Sequence, residues 1–327
     1  MLHSRAGVLR RALQCGNLCA YQRPANTPGF VEGTPARWIR NKAMRLREKL
    51  RKLVPLSISV YARTRAESKH LRNLGKMPID TSKLSIKIGP RELQKIFSSR
   101  DTDEEWADVE REVSSLSLGK VGGLNFGDRR ALYYLLRHFR PQTVLEVGTH
   151  VGASTVNALA ALRHCSSQDH NEFRKLTTVD IRDVNDARSR PWKTFGSKYS
   201  PKEMSEIMGV PDLVEFIASP SIQYLSTCTD GFDFIFLDGN HAAITVYQEV
   251  PLALSVLNKD GVILLHDFFP NLKPLWSYKN VIPGPWLAIQ RLQQEGANFQ
   301  VLPIRELPWM TKHNSKVSSL ALLVGNR

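Results

Sequence analysis

Cysteine is scarce in this chain, long apolar runs are missing, and acid is nearly absent from its N-terminal quarter. The four cysteines among 327 residues, Cys15, Cys19, Cys165 and Cys228, form no C-x-x-C pair and show no ligand spacing. That argues against a disulfide scaffold and a cysteine-bound zinc site, and free thiols in a reducing compartment are the simplest account. No stretch approaches the roughly 20 apolar residues that a membrane-spanning helix needs. No acid precedes Glu32, and residues 1–76 hold 17 Lys and Arg against Glu32, Glu48 and Glu67. Residues 77–327 carry 28 basic and 28 acidic residues, so the net charge of +14 belongs to the N-terminal region alone. A neutral body with a basic leader points to targeting or tethering rather than to a polyanion-binding body.

The leader has Arg5, Arg10, Arg11 and Arg23 with Leu2, Leu9 and Leu13 interspersed. An Arg-rich, acid-free, weakly amphipathic segment is the composition of a mitochondrial transit peptide; a disordered basic arm is the alternative. Residues 24–36 are rich in Pro and Gly and read as a linker that closes a 1–36 leader. From 37 to 76 the chain is basic and helical in pattern, with eight basic residues and one acid between Arg37 and Lys52. Such a helix suits peripheral contact with an acidic membrane, RNA, or simple solvent exposure. No aromatic platform accompanies it, which makes nucleic acid a minor expectation.

Residues 77–125 read as a helical cap, with helices expected over Gly89–Phe97 and Asp103–Leu116, the second capped by Asp101 or Thr102. From Phe126 the pattern becomes α/β. A helix over Asp128–Phe139 precedes apolar strand candidates at Val144–Val147, Leu176–Ile181, Leu213–Ala218, Phe232–Leu237 and Val262–Leu265. Continuous apolar strands alternating with helices predict a Rossmann-like, mainly parallel sheet covered on both faces over residues 126–327. Ligands bind such sheets at the carboxyl ends of their strands.

The loop after the first of these strands is GTHVG, in which Gly148 and Gly152 permit a sharp turn and close approach of backbone to a ligand. The dinucleotide fingerprint is missing its second glycine, since Thr149 and His150 follow Gly148. No Lys-Ser/Thr pair for a nucleoside triphosphate is present either. Asp180 closes the second strand, Ser219 follows the third, FLDGNH ends the fourth (Asp238 to His241) and LLHDF ends the fifth (His266, Asp267).

The series VLEVGTHVG, VDI, DFIFLDGNH and KDGVILLHD is similar to class I S-adenosylmethionine (SAM) methyltransferases, in the cephalosporin-hydroxylase-like and catechol O-methyltransferase-like group. The resemblance covers about residues 126–325. It implies that Glu146, Gly148, Thr149, Gly152 and Asp238 place SAM, that Asp180 accepts hydrogen bonds from its ribose hydroxyls, and that Ser219 lies at its adenine. It also implies that Asp238 and Asp267 hold a divalent cation such as Mg2+, although Phe268 stands where catechol-type enzymes carry an amide ligand. His241 and His266 are the general-base candidates, since imidazole titrates near neutrality. DGNH in place of the N/D-P-P-Y/F motif of enzymes that methylate base amino groups favours an oxygen acceptor on a small molecule. The rival expectations are a non-catalytic SAM-fold assembly or RNA-associated factor tethered by residues 37–76, and a nicotinamide-dependent oxidoreductase, which the missing glycine disfavours. A homo-oligomer is compatible with the sequence, and the acceptor is not legible in it.

Overall fold

The apolar runs become the strands of a seven-stranded sheet in the computed structural model, which describes residues 56–118, 123–169, 173–277 and 280–326. The leader, the linker and residues 37–55 of the basic 37–76 segment lie outside the described residues. The strands are β1 Thr143–Val147, β2 Lys175–Asp180, β3 Val214–Ala218, β4 Phe232–Leu237, β5 Leu257–Leu265, β6 Phe299–Pro303 and β7 Ala321–Gly325. Their order is β3-β2-β1-β4-β5-β7-β6. The first five run parallel, and β7 lies antiparallel between β5 and β6. The order reverses at β1, where β2 and β4 flank it on opposite sides, and this is the position at which open α/β sheets leave a crevice.

The chain divides at Arg65/Ala66, within helix α1 (Leu56–Arg72). Helix α2 (Pro90–Phe97) begins with Pro at its first turn after Gly89, whose N–H donates to the Glu92 carboxylate at 3.0 Å. Helix α3 (Arg100–Ser115) starts earlier than its acidic run suggests. Ser99 caps it, accepting from the Thr102 N–H at 3.4 Å, in place of the expected Asp101 or Thr102. The hydroxyl at 99 precedes the turn, and only a residue there reaches the third amide. Helix α4 (Phe126–Phe139) is capped by Asn125, whose Oδ1 accepts from the Asp128 N–H at 3.0 Å. Then follow α5 (Ala153–Gln168), two short helices, α6 (Pro191–Thr194) and α7 (Pro201–Ile207), α8 (Ser221–Thr227), α9 (Ala243–Val256) and α10 (Gly284–Gln294).

Alternate strand residues face opposite cores. Val144, Phe234, Phe236, Val262 and Leu264 pack with α4 and α5, while Leu145, Val147, Ile235, Ile263 and Leu265 pack with α9 and α10. Residues of α2 and α3, including Phe97, Trp106, Val109 and Val113, join the first core, so the 77–125 region shares the core of the sheet. No helix among the described residues is long and apolar enough to cross a membrane.

One buried acid in this frame has a measurable consequence. Glu249 on α9 is 1% exposed and accepts a hydrogen bond from Ser221 Oγ. Burial pushes its carboxyl up to about 7, with the Ser221 hydrogen bond pulling the other way. A pKa raised on folding contributes stability that is complete below the unfolded value and is lost as pH rises through the folded one. Glu249→Gln is therefore expected to remove about 2 kcal/mol of the loss in unfolding free energy between about pH 5 and pH 7.5. Urea denaturation of both proteins at the two pH values checks this; equal losses would contradict it.

Candidate active site at the carboxyl ends of the strands

The loop from Gly148 to Gly152 crosses the crevice and is held from three sides. Gly148 has φ +105° and its N–H donates to the Val179 carbonyl at 2.8 Å, so the chain leaves β1 along β2 before turning. A Cβ there would stand 2.3 Å from the Asp238 carbonyl oxygen, which only glycine avoids. Thr149 is buried, with its Oγ1 2.6 Å from Thr178 Oγ1. His150 sits at φ +50°, and its N–H donates to Asp180 Oδ2 at 2.9 Å. Gly152, at φ +79°, caps α5.

Glu146, near the end of β1, is buried beside this loop. It is 2% exposed, and its Oε2 accepts from Thr155 and Thr178 hydroxyls, both at 2.6 Å. Burial pushes its pKa up to about 7, against the hydrogen bonds from Ser154, Thr155 and Thr178. Its geometry is that of a bolt joining β1, β2 and the first turn of α5. Asp180, at the end of β2, receives His150 N–H on one oxygen and Arg182 N–H on the other, at 2.9 and 3.0 Å. A carboxylate has about four acceptor positions, so capacity is left for ligand hydroxyls. Ser219 donates its N–H to the Asp180 carbonyl at 2.8 Å, which fixes it beside the same strand end.

Across β1, the ends of β4 and β5 bring Asp238, His241, His266 and Asp267 together. His266 Nδ1 lies 2.6 Å from Asp238 Oδ1. His241 Nε2 lies 3.4 Å from Asp267 Oδ2 and 3.7 Å from Asp238 Oδ1. Asp267 adopts φ +52°, a sparsely populated conformation for a non-glycine residue, and Ser319 Oγ is 3.3 Å from its Oδ1. Burial raises the Asp267 carboxyl, but the charges of His266, His241 and Lys312 outweigh this and hold it below the usual carboxylate range.

His266 was expected as a base candidate, and both of its ring nitrogens face carboxylates. Burial disfavours its charge, yet the Asp238 and Asp267 carboxylates, with Asp128 beyond them, overcome the penalty and hold its pKa well above the ordinary imidazole value. His241, with its side chain 29% exposed, is the imidazole open to a ligand.

Asp128 is the residue that sequence reasoning missed. It lies in the first turn of α4, is fully buried, and its Oδ2 stands 3.7 Å from His266 Nε2. Asn125 Nδ2 donates to that oxygen, whereas Oδ1 has no hydrogen-bond partner among the described residues. An acid in a helix's first turn reads as a favourable charge at the dipole's positive end, which is why its sequence position carried no functional signal. Aromatic side chains of the loops after β2 and β5 are spent on packing: Trp192 and Trp276 are buried, and Tyr199 packs against the first core. Tyr278 lies outside the described residues.

A family model described as "Methyltransferase domain" matches residues 145–268, the segment that carries every one of these strand ends. This segment is similar to a methyltransferase domain. The O-methyltransferase hkm8 of Aspergillus hancockii is 25% identical over 128 residues, a match that takes in 39% of this chain and 43% of that relative's length. The chain thus spans less than half of the curated relative it matches. Similar solved structures include the cofactor-bound Rv0187 from MTB, with a TM-score of 0.47 and 15% identity over 73% of this chain and 99% of that one. Another is the O-methyltransferase TomG from Streptomyces achromogenes in complex with SAM, with a TM-score of 0.45 and 16% identity over 70% of this chain and 91% of that one.

The Mg2+ implied by the resemblance is a hard cation that takes oxygen ligands and keeps several waters. Here the donors that converge include two imidazoles, a set that does not suit it.

Proposed function

We propose that the protein transfers a methyl group from SAM to a hydroxyl of a small molecule. The observation that supports this reading is the division of labour across β1: a carboxylate with spare acceptor positions on the β2 side, and an imidazole–carboxylate cluster on the β4/β5 side. On the first side Asp180 would accept the two ribose hydroxyls while the glycine loop passes the methionine part, and Ser219 would lie toward the adenine. On the second, the hydroxyl oxygen attacks the methyl carbon as the carbon–sulfur bond breaks, S-adenosylhomocysteine leaves as a neutral thioether, and the hydroxyl proton passes to His241, beside the Asp267 carboxylate. An alcohol or phenol is a poor nucleophile with its proton in place, so a proton acceptor within reach is the chemical requirement that the cluster meets. Much of the remaining rate would come from holding oxygen, carbon and sulfur in line. The basic leader would direct the chain to mitochondria, and residues 37–76 would supply a tether to an anionic surface.

Asp180→Ala tests the cofactor half. Loss of two charge-assisted hydrogen bonds, each about 1.5–3 kcal/mol, predicts that SAM affinity falls at least about 100-fold in isothermal titration of the full chain. Release of S-adenosylhomocysteine with a panel of phenols and alcohols tests the acceptor half. A folded protein that binds no SAM would overturn the reading and favour the non-catalytic assembly factor, for which the basic segment is the natural partner site.

A further inference from the structure

Three carboxylates and two imidazoles meet where α4 packs against the ends of β4 and β5. Asp128, Asp238 and Asp267 have side-chain exposures of 0%, 9% and 15%. The ligand atoms of Asp238, His241 and His266 all lie within 4.8 Å of one another. Two ligands on one transition-metal ion, each about 2.1 Å from it, stand up to about 4.2 Å apart, so sub-ångström movements would close the set. The fully buried Asp128 sets its Oδ2 against His266 Nε2, while its Oδ1 has no hydrogen-bond partner among the described residues.

The orientation of His266 gives this arrangement chemical sense. Its Nε2 faces two carboxylates, Asp128 Oδ2 at 3.7 Å and Asp267 Oδ1 at 3.8 Å, while its Nδ1 faces Asp238 Oδ1. A histidine that ligates a metal commonly donates its other N–H to a carboxylate, which fixes the tautomer and raises the basicity of the coordinating nitrogen. Imidazole nitrogen with one carboxylate suits a borderline divalent ion such as Zn2+, Co2+, Mn2+ or Fe2+.

We propose that Asp238 Oδ1, His241 Nε2 and His266 Nδ1 form a binding site for a borderline divalent transition-metal ion, oriented from behind by Asp128, in place of an all-oxygen Mg2+ site. The proposal rests on the methyltransferase reading for its use, since the ion would bind the acceptor oxygen. With His241 engaged as a ligand, Asp267, 3.4 Å from its Nε2, is the group left to take the proton. Binding would displace the proton on His266 Nδ1.

The test is titration of the full-length, chelator-treated protein with Co2+ alone and with Mg2+ alone, read by calorimetry and by the visible d–d absorption of cobalt. One Co2+ per chain is expected, with nitrogen-ligand bands and an affinity at least about 100-fold above that for Mg2+. His241→Asn, at the more exposed ligand, is expected to change the cobalt spectrum and weaken binding. The near-isosteric Asp128→Asn should weaken Co2+ by about 10- to 100-fold. Asp180→Ala, on the far side of β1, should leave the cobalt bands unchanged. Mg2+ binding as tight as Co2+, or cobalt bands indifferent to His241→Asn and Asp128→Asn, would overturn the proposal. A folded protein that binds SAM and takes up no Co2+ would overturn it while leaving the methyltransferase reading intact.

Discussion

Gly148→Ala is expected to cost about 4 kcal/mol or more in unfolding free energy and to abolish measurable SAM binding. Two penalties act together. The residue's φ of +105° lies outside the left-handed region that other residues tolerate, and the new methyl would stand 2.3 Å from the Asp238 carbonyl oxygen and 2.7 Å from its carbonyl carbon. Neither obstacle is a flexible side-chain tip. The Asp238 backbone is tied to β1, since its N–H donates to the Val147 carbonyl at 2.9 Å. Relief therefore requires the β1 and β4 ends to separate, which pulls the glycine loop away from Asp180 on one side and Asp238 away from His266 on the other. Urea unfolding and SAM titration of the variant check both halves. A variant of native stability and affinity would show that this turn does not govern the crevice.

Gly284→Ala should act nearly as strongly and through a different residue. Gly284 opens α10, and a Cβ there would lie 1.9 Å from the His241 carbonyl oxygen and 2.7 Å from the Ala243 nitrogen. That second atom is also where Glu67 Oε2 accepts the Ala243 N–H at 2.7 Å, supplying the start of α9 with the cap that Ala242 cannot provide. The substitution thus wedges α10 from the His241 turn and disturbs the first turn of α9. A stability loss of about 3 kcal/mol or more is expected from overpacking against backbone. The more diagnostic effect is selective: under the proposed function, methyl transfer should fall at least about 100-fold while affinity for SAM, assigned there to the β2 side, loses less than about 10-fold. Equal losses in SAM affinity and turnover would contradict the assignment of His241 to the acceptor side.

Much of the sheet was legible in the sequence. β1, β2, β4 and the end of β5 are covered on both faces, so each appears as an uninterrupted apolar run and is placed within a residue or two. β6 and β7 were not foreseen. Ala321–Gly325 is only five residues long, and its direction was decided by a partner, β5, more than fifty residues earlier in the chain. The cap of α3 was misplaced for a simpler reason: Asp101 and Thr102 are as good capping types as Ser99, and only the backbone conformation at 99, φ −66° and ψ 116°, separates them.

The candidate site divides along the same line. Local chemistry set the glycine turn, the acid at the end of β2 and the carboxylate and imidazole residues that end β4 and β5, because each depends on a few consecutive residues and on where a strand stops. Which of the two histidines is enclosed by carboxylates depended on Asp128, Asp238 and Asp267, and the sequence holds no record of their distances. Asp128 is the sharpest example. As a letter in an amphipathic helix it marks a favourable first-turn charge, and only packing of α4 against the sheet buries it 3.7 Å from His266. Backbone conformation is chosen over neighbouring residues and is written locally. Electrostatic environment is a sum over groups distant in sequence, and only the tertiary structure performs it.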